Sequence, residues 1–341
     1  MADKMRRWTM DAVGRAQLKL AETAIPRPGN GEILVKVSAV ALNYRDKLVI
    51  ETGFGAELPF PFTPASDLAG IVEAVGPQVS RFRKGDRVIS TFVPGWIDGK
   101  TSGTARHPAH VTLGGLLQGV LAEYVVLSQD WAVVAPTTLN DAEASTLPVA
   151  GLTAWSALVE EGKLAAGQTV VVLGTGGVSL FGLQIAAAHG AQVIVTSGEE
   201  EKLARAKSLG AAHGINRKAT DWAKAVLDIT DGRGADHILE IAGGANLGRS
   251  LEACAVGGRI SVIGVIEGFE ISGGVLPLML KQVTVRGIIV GHRRALEDLT
   301  RAVDRTGIKP VIDAEYDLAA LPAALDHLER GPFGKVVVRM R

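Results

Sequence analysis

Gly174-Thr175-Gly176-Gly177-Val178-Ser179 is the stretch whose residue types and spacing could do chemistry most directly. Glycines at these positions allow a tight turn and let a ligand approach the backbone closely. Before it, Val170-Val171-Val172-Leu173 is a short apolar run, as expected of a parallel strand buried on both faces. After it, Leu180, Leu183 and Ala187 continue at helical spacing as far as Gly190, a C-terminal stop. Strand, turn and helix together present unpaired N–H groups at a helix start, and the chemistry is the cradling of a pyrophosphate. Ser179 stands where the G-x-G-x-x-G pattern has its third glycine. That substitution predicts a helix set slightly further from its strand.

The elements that must position this turn follow from pattern. Residues 1–147 read as mostly β. Ile33–Val37, Ala69–Val75 and Arg87–Ile89 are short strand-like runs separated by Pro28-Gly29-Asn30-Gly31, Gly76-Pro77 and Lys84-Gly85-Asp86. This spacing predicts a small irregular barrel. Residues 94–119 are glycine-rich without periodicity and read as a long surface loop; Leu121–Leu127 returns to strand character. Residues 148–291 alternate between strands and helices. Strands are expected at Gln192–Thr196, His213–Ile215, Asp236–Ile241, Arg259–Gly264 and Thr284–Val290, with helices at Glu199–Leu209, near Asp221–Ile229 and through Ser250–Ala255. Such alternation implies an α/β, doubly wound parallel sheet with a nucleotide at its switch point. Residues 292–341 hold an amphipathic helix, Ala295–Thr306, and a last strand, Val336–Val338.

Composition narrows the function classes. Of 341 residues 47% are apolar, and Lys plus Arg equals Asp plus Glu at 36 each, so no net field favours nucleic acid or an anionic membrane. The local basic run Arg81, Arg83, Lys84 and Arg87 contains Gly85-Asp86 and reads as a solvated turn. A single cysteine, Cys254, allows neither an internal disulfide nor a thiolate cluster. With no apolar leader and no run of 18 apolar residues, a cytoplasmic protein is expected.

Six ordered motifs carry a family resemblance: AVALNYRDKLVIETG, PASDLAGIVEAVG, FRKGDRV, LAEYVVL, LPVAGLTAWSAL and VVLGTGGVSLFGLQIA. In order and spacing they resemble the medium-chain dehydrogenase/reductase superfamily over nearly the whole chain. The resemblance implies a GroES-like β-barrel catalytic domain, residues 1–147 and 292–341, split around a Rossmann domain at 148–291. Zinc-dependent members carry Cys, His and usually Cys where this sequence has Asn43, Ser66 and Val149. An amide, a hydroxyl and an isopropyl group are no zinc ligand set. The four-cysteine structural zinc lobe is absent too, and His107 and His110 read as solvated loop residues. The chain is therefore similar to the zinc-free branch, the quinone oxidoreductases and enoyl reductases. Leu42-Asn43-Tyr44-Arg45-Asp46 comes close to the LNFRD-like stretch of polyketide enoyl reductases, whereas Leu48 stands where quinone oxidoreductases usually have Tyr.

Hydride transfer needs no protein nucleophile; the protein positions the nicotinamide and polarises the acceptor. Without zinc, hydrogen-bond donors must do so, which favours enones and quinones over unactivated ketones. Asn43 is expected to donate an amide hydrogen, the alternative being a turn cap, and Tyr44 a phenolic proton, the alternative being packing. Asp46 and Asp67 read as hydrogen-bonded structural aspartates before acid–base catalysts. Thr153 matches a family residue facing the nicotinamide, or is an ordinary helix-start threonine. Cofactor contacts are also implied at Gly174, Thr175, Gly176, Gly177, Val178, Gly264, Val290 and Lys335. Ser197 occupies the place where NAD-preferring folds put an acidic residue. Lys202, Asn216 and Arg217 lie where NADPH-using relatives hold the 2′-phosphate. Glu199-Glu200-Glu201 opposes that reading unless it complements the helix macrodipole.

An NADPH-dependent reductase of activated double bonds or quinones is the leading expectation, working on a small molecule as a homodimer through the Val283–Val290 edge. A zinc-free alcohol or carbonyl dehydrogenase is the second. A non-enzymatic nucleotide-binding structural protein is the third, and balanced charge disfavours RNA as its partner.

Overall fold

The computed structural model describes residues 4–107 and 111–341. The chain forms two compact units, Met1–Leu152 with Gly291–Arg341, and Thr153–Val290.

The first unit opens with an antiparallel ribbon, β1 (Lys4–Thr9) and β2 (Lys19–Ala24). There follow β3 (Glu32–Leu42), α1 (Tyr44–Thr52), β4 (Asp67–Val75), β5 (Arg87–Ser90), β6 (Tyr124–Ser128), β7 (Ala132–Val134) and α2 (Asp141–Ala144). β3 is the axis of this unit. Ile33, Val35, Val37 and Val40 are buried β-branched residues, suited to a pleated surface packed on a core.

After α3 (Leu152–Trp155) the second unit alternates: β8 (Thr169–Leu173), α4 (Gly177–Ala188), β9 (Gln192–Ser197), α5 (Glu200–Ser208), β10 (His213–Asn216), α6 (Trp222–Ile229), β11 (Ala235–Glu240), α7 (Asn246–Ala253), β12 (Cys254–Val262), α8 (Val275–Leu280) and β13 (Thr284–Gly287). Its strands are parallel in the order β10-β9-β8-β11-β12-β13. This is a Rossmann-like doubly wound sheet, and β8, buried along its whole length, lies inside it.

The tail returns to the first unit as α9 (Arg293–Thr306), β14 (Ile312–Asp317), α10 (Leu321–Glu329) and β15 (Lys335–Arg339). The expected barrel takes the form of a seven-stranded sheet, β14-β15-β3-β4-β5-β7, with β6 also on β3. β3 is long enough to hold two partners in succession along one side: Glu32–Lys36 pairs β6, and Ala39–Leu42 pairs β15. The register sets Leu42 opposite Val336 and Ala41 opposite Asp67. The ends of β15, β3 and β4 therefore meet at one place.

Several expectations are corrected. The strand expected at Thr284–Val290 stops at Gly287, and Val290 has a positive φ of 46°, incompatible with an extended run. The helix expected through Ser250–Ala255 is Asn246–Ala253, and Cys254 already begins β12. The 94–119 loop is not all surface, because Thr112 and Leu113 are buried. α10 went unforeseen, since Pro322 at its start and a short apolar face mask its period. The basic run is spent on ion pairs: Arg81 with Glu297, Lys84 with Glu73 and Arg87 with Asp141. His107 lies exposed in its loop, and His110 lies outside the described residues. Among the described residues no helix is long and apolar enough to cross a membrane.

Candidate active site

Asn43 leaves the end of β3 and precedes the first turn of α1. Its backbone N–H donates to Asp46 Oδ2 at 2.7 Å, so Asp46 fixes the entry into the helix. Its side chain turns elsewhere. Oδ1 accepts from Lys335 Nζ at 2.6 Å, while Nδ2 has no hydrogen-bond partner although the residue is only 7% exposed. An unpaired buried donor is costly and calls for a function. Lys335, expected among the cofactor contacts, lies at the start of β15 with its second hydrogen bond to Leu42 O at 2.5 Å.

Asp67 completes this cluster from β4. Its Oδ1 accepts from Ser66 Oγ at 2.5 Å, and its Oδ2 from Val149 N at 3.0 Å. The three positions that the resemblance aligns with metal ligands of zinc-dependent members are each engaged in a hydrogen bond. Asn43 holds Lys335; Ser66 and Val149 hold Asp67. Among the described residues no group of three or more His, Cys, Asp or Glu is placed to hold a metal ion. The donor set around Asn43 does not fit zinc.

Burial dominates the electrostatics. It pushes the Asp67 carboxyl up to about 6, against the pull of the Lys335 ammonium. The neighbouring Asn43 amide favours the carboxylate slightly, although Nδ2 makes no bond within hydrogen-bonding geometry. Asp46 is likewise raised by burial, opposed first by Arg45, and Lys335 is lowered by burial, opposed by Asp67 and Asp46. Arg45 also donates to Leu113 O and Gly114 O, which ties the 112–115 backbone to α1. Tyr44, at the first helical position, is 43% exposed, and no hydrogen bond joins it to the cluster.

The glycine turn lies in the second unit. Gly174 has φ +74°, which a side chain would resist. At Gly176 a Cβ would meet nothing within 4 Å, so the turn faces open space in front of the α4 N-terminus. A pyrophosphate fits such a cradle. Gly177, Val178 and the buried Thr175 complete the turn. Ser179 is fully buried and donates from Oγ to Leu173 O at 2.7 Å. Close packing is supplied one turn later by Gly182, whose Cβ would collide with Leu239.

Behind Gly174 opens a cleft of about 350 Å³, lined by Thr196, Arg217, Trp222, Asn246 and Arg249 among others. Neither Arg217 nor Arg249 has an ion-pair partner among the described residues. Ser197, buried at the end of β9, accepts from Glu199 N at 3.2 Å. Lys202 pairs with Glu199 at 2.8 Å, and Asn216 Nδ2 donates to Glu200 at 2.6 Å, so two residues expected to hold phosphate are engaged by the acidic run. Thr153 is buried; Gly264 is packed so that a Cβ would strike Ile241 O; Val290 is buried in a strained backbone conformation.

Sequence reasoning missed Arg249 and the element that shapes its wall. Glu240 is fully buried and accepts from Ala242 N, Gly243 N, Asn246 Nδ2 and Ser250 Oγ. Asn246 in turn accepts from Trp222 Nε1 at 3.3 Å. A lone carboxylate closing the apolar run Ile238-Leu239 was the available signal.

Comparison with known proteins gives the family. Residues 29–137 match the alcohol dehydrogenase GroES-like domain, and residues 177–305 match the zinc-binding dehydrogenase model. The chain is 39% identical over 340 residues, 96% of each chain, to the zinc-type alcohol dehydrogenase-like protein C1773.06c of Schizosaccharomyces pombe. It is 30% identical over 328 residues to the quinone oxidoreductase of Mus musculus, covering 93% of this chain and 92% of that one. A crystal structure designated an alcohol dehydrogenase from Sinorhizobium meliloti 1021 superposes at a TM-score of 0.97 with 64% identity over the whole of both chains. An NAD-dependent alcohol dehydrogenase superposes at 0.88 with 33% identity, over 99% of this chain and 100% of that one, so family members use nicotinamide cofactors. The chain belongs to the medium-chain dehydrogenase/reductase superfamily, as an oxidoreductase of its alcohol dehydrogenase and quinone oxidoreductase family.

Proposed function

We propose that this protein is a zinc-independent, NADPH-dependent reductase of activated double bonds or quinones. The carrying observation is the orientation of the Asn43 amide, at the position where the resemblance puts a metal ligand in zinc-dependent members. Its Oδ1 is occupied by Lys335, and its buried Nδ2, near the Asp67 carboxylate, makes no hydrogen bond of good geometry. A neutral donor of this kind suits a conjugated acceptor, in which charge spreads over several atoms and asks for modest stabilisation at oxygen.

The dinucleotide, when bound, supplies the hydride. The chain's own residues do the rest. The Gly174–Ser179 turn and the α4 N-terminus hold the pyrophosphate, and the unpaired Arg217 meets the 2′-phosphate beside Ser197. Asn43 Nδ2 orients the acceptor oxygen and takes up part of its developing charge. Asp46 and Asp67 serve as structural counter-charges to Lys335 rather than as acid and base, since each carboxylate is already engaged by hydrogen-bond donors.

The functional form is a dimer of two copies. β13 is the exposed edge of the sheet, and Val275, Leu276, Met279 and Leu280 of α8 expose an apolar face. A zinc-free alcohol or carbonyl dehydrogenase is the second reading, favoured by the alcohol dehydrogenase names of several relatives.

NADPH oxidation with a panel of enones, quinones and saturated ketones, with and without a chelator, tests the proposal. Turnover of the conjugated acceptors, untouched by chelation and at least tenfold above that of ketones, is expected. Zinc at about one per chain, lost together with activity, would overturn it.

A further inference from the structure

We infer that Lys335 is the positioning residue that makes Asn43 a donor: its ammonium occupies Oδ1, so the amide can offer only its Nδ2 hydrogens to an acceptor. The inference rests on the reading of Asn43 as the donor to the acceptor oxygen.

A primary amide is ambivalent, with an acceptor at one end and two donors at the other. Here the ambivalence is removed. The backbone of Asn43 is pinned by Asp46 Oδ2 at 2.7 Å, and Lys335 Nζ lies 2.6 Å from Oδ1. Rotating the amide by half a turn would bring its NH₂ group against an ammonium, donor facing donor, and would forfeit a charge-assisted hydrogen bond. Lys335 cannot easily retreat, because Nζ is also bonded to Leu42 O and the side chain is buried. Its approach is fixed by the β15–β3 register that sets Val336 opposite Leu42.

Polarisation follows from the same contact. A hydrogen bond from a cation at Oδ1 draws electron density through the amide and strengthens Nδ2–H as a donor. The charged groups that face Lys335 are Asp67 and Asp46, with Arg45 bonded to the latter. Two carboxylates and two cations leave the cluster near neutrality, which lets a buried ammonium persist. The positive charge thus acts on an acceptor through Asn43.

The test combines kinetics with a spectroscopic readout that needs no turnover. kcat and KM are measured with the best acceptor of the panel for wild type, Lys335→Met, Asn43→Ala and the double variant. Lys335→Met should lower kcat about ten- to a hundredfold with KM changed less than about threefold, and should add no further loss in the Asn43→Ala background. Equal losses in both backgrounds would overturn the inference. In ¹⁵N-asparagine-labelled protein, the side-chain NH₂ signal that vanishes in Asn43→Ala should lie downfield of the exposed asparagines and move toward them in Lys335→Met. A signal insensitive to Lys335 would overturn it as well. If Lys335→Met does not fold, Lys335→Gln, which keeps a neutral donor, takes its place and should fall between wild type and Asn43→Ala. Should Asn43→Ala retain wild-type kcat, the reading of Asn43 as donor falls, while the NH₂ signal still judges whether Lys335 orients the amide.

Discussion

Ser66 Oγ donates to Asp67 Oδ1 at 2.5 Å, and the carboxylate that accepts this bond faces the Lys335 ammonium. The pair is fully buried. Burial works against the ionised form of Asp67, and the Lys335 ammonium works for it.

The first prediction concerns pH. Burial raises Asp67 from an ordinary carboxyl value to about 6 in the folded chain. A raised folded value means the native state holds the proton more tightly than the unfolded one. The stability contribution is therefore full below the unfolded pKa and is lost as pH rises through the folded value. The difference in unfolding free energy between wild type and Asp67→Asn should fall across pH 4–6, by up to about 3 kcal/mol at 1.36 kcal/mol per unit. Denaturant titrations at pH 4, 5, 6 and 7 measure it. A difference that stays flat, or grows with pH, would show that Lys335 wins over burial.

A second prediction contradicts what the motif alone suggests. Ser179→Gly restores the usual third glycine of the turn, yet it should destabilise the protein. The variant loses the bond from Ser179 Oγ to Leu173 O and places glycine inside α4. The lost bond is worth about 1 kcal/mol and glycine in place of serine in a helix about 0.5 kcal/mol, so a loss of about 1.5 kcal/mol is expected by urea unfolding. Gly182→Leu, which drives a side chain into Leu239, should cost a further about 1–3 kcal/mol. Unchanged or higher stability in Ser179→Gly would mean the serine is incidental.

These two sites show what was legible beforehand. The glycine turn and the alternation of strands and helices can be read from the order of residues along the chain, with no knowledge of which distant segments meet. Lys335 and Asn43 are 292 positions apart, and only the β15–β3 register joins them. Ser179 was visible as a departure from the pattern, but its bond back to Leu173 depends on how the helix packs. Val290 failed as a strand residue because β-branching favours extension, whereas the chain there needs a left-handed turn. Arg249 carried no pattern at all; the folding of α7 beside Gly174's cleft gives it a place.

A third prediction addresses association. Val285→Lys on the exposed edge strand and Leu280→Glu on α8 each put charge into the face proposed to meet a second copy. Wild type should scatter light as a dimer at micromolar concentration, and the double variant as a monomer with unchanged helix content. A monomeric wild type would remove the premise.

Cofactor choice is the last. Ser197 accepts from Glu199 N, a bond that an aspartate in its place could keep, so Ser197→Asp should preserve the turn after β9. It would set a negative charge beside the expected 2′-phosphate. In wild type, Lys202 is paired with Glu199, so Arg217, without an ion-pair partner among the described residues, is a cation available to meet that phosphate. Charge-assisted hydrogen bonds contribute about 1.5–3 kcal/mol, or roughly ten- to a hundredfold in affinity. NADPH should therefore bind wild type that much more tightly than NADH, and both Ser197→Asp and Arg217→Gln should erase the difference while leaving NADH affinity within about threefold. Calorimetric titration of both cofactors into the three proteins decides it. Equal binding of NADH and NADPH by wild type would turn attention to Glu199 and Glu200, released from Lys202 and Asn216, as the groups that hold an unphosphorylated ribose.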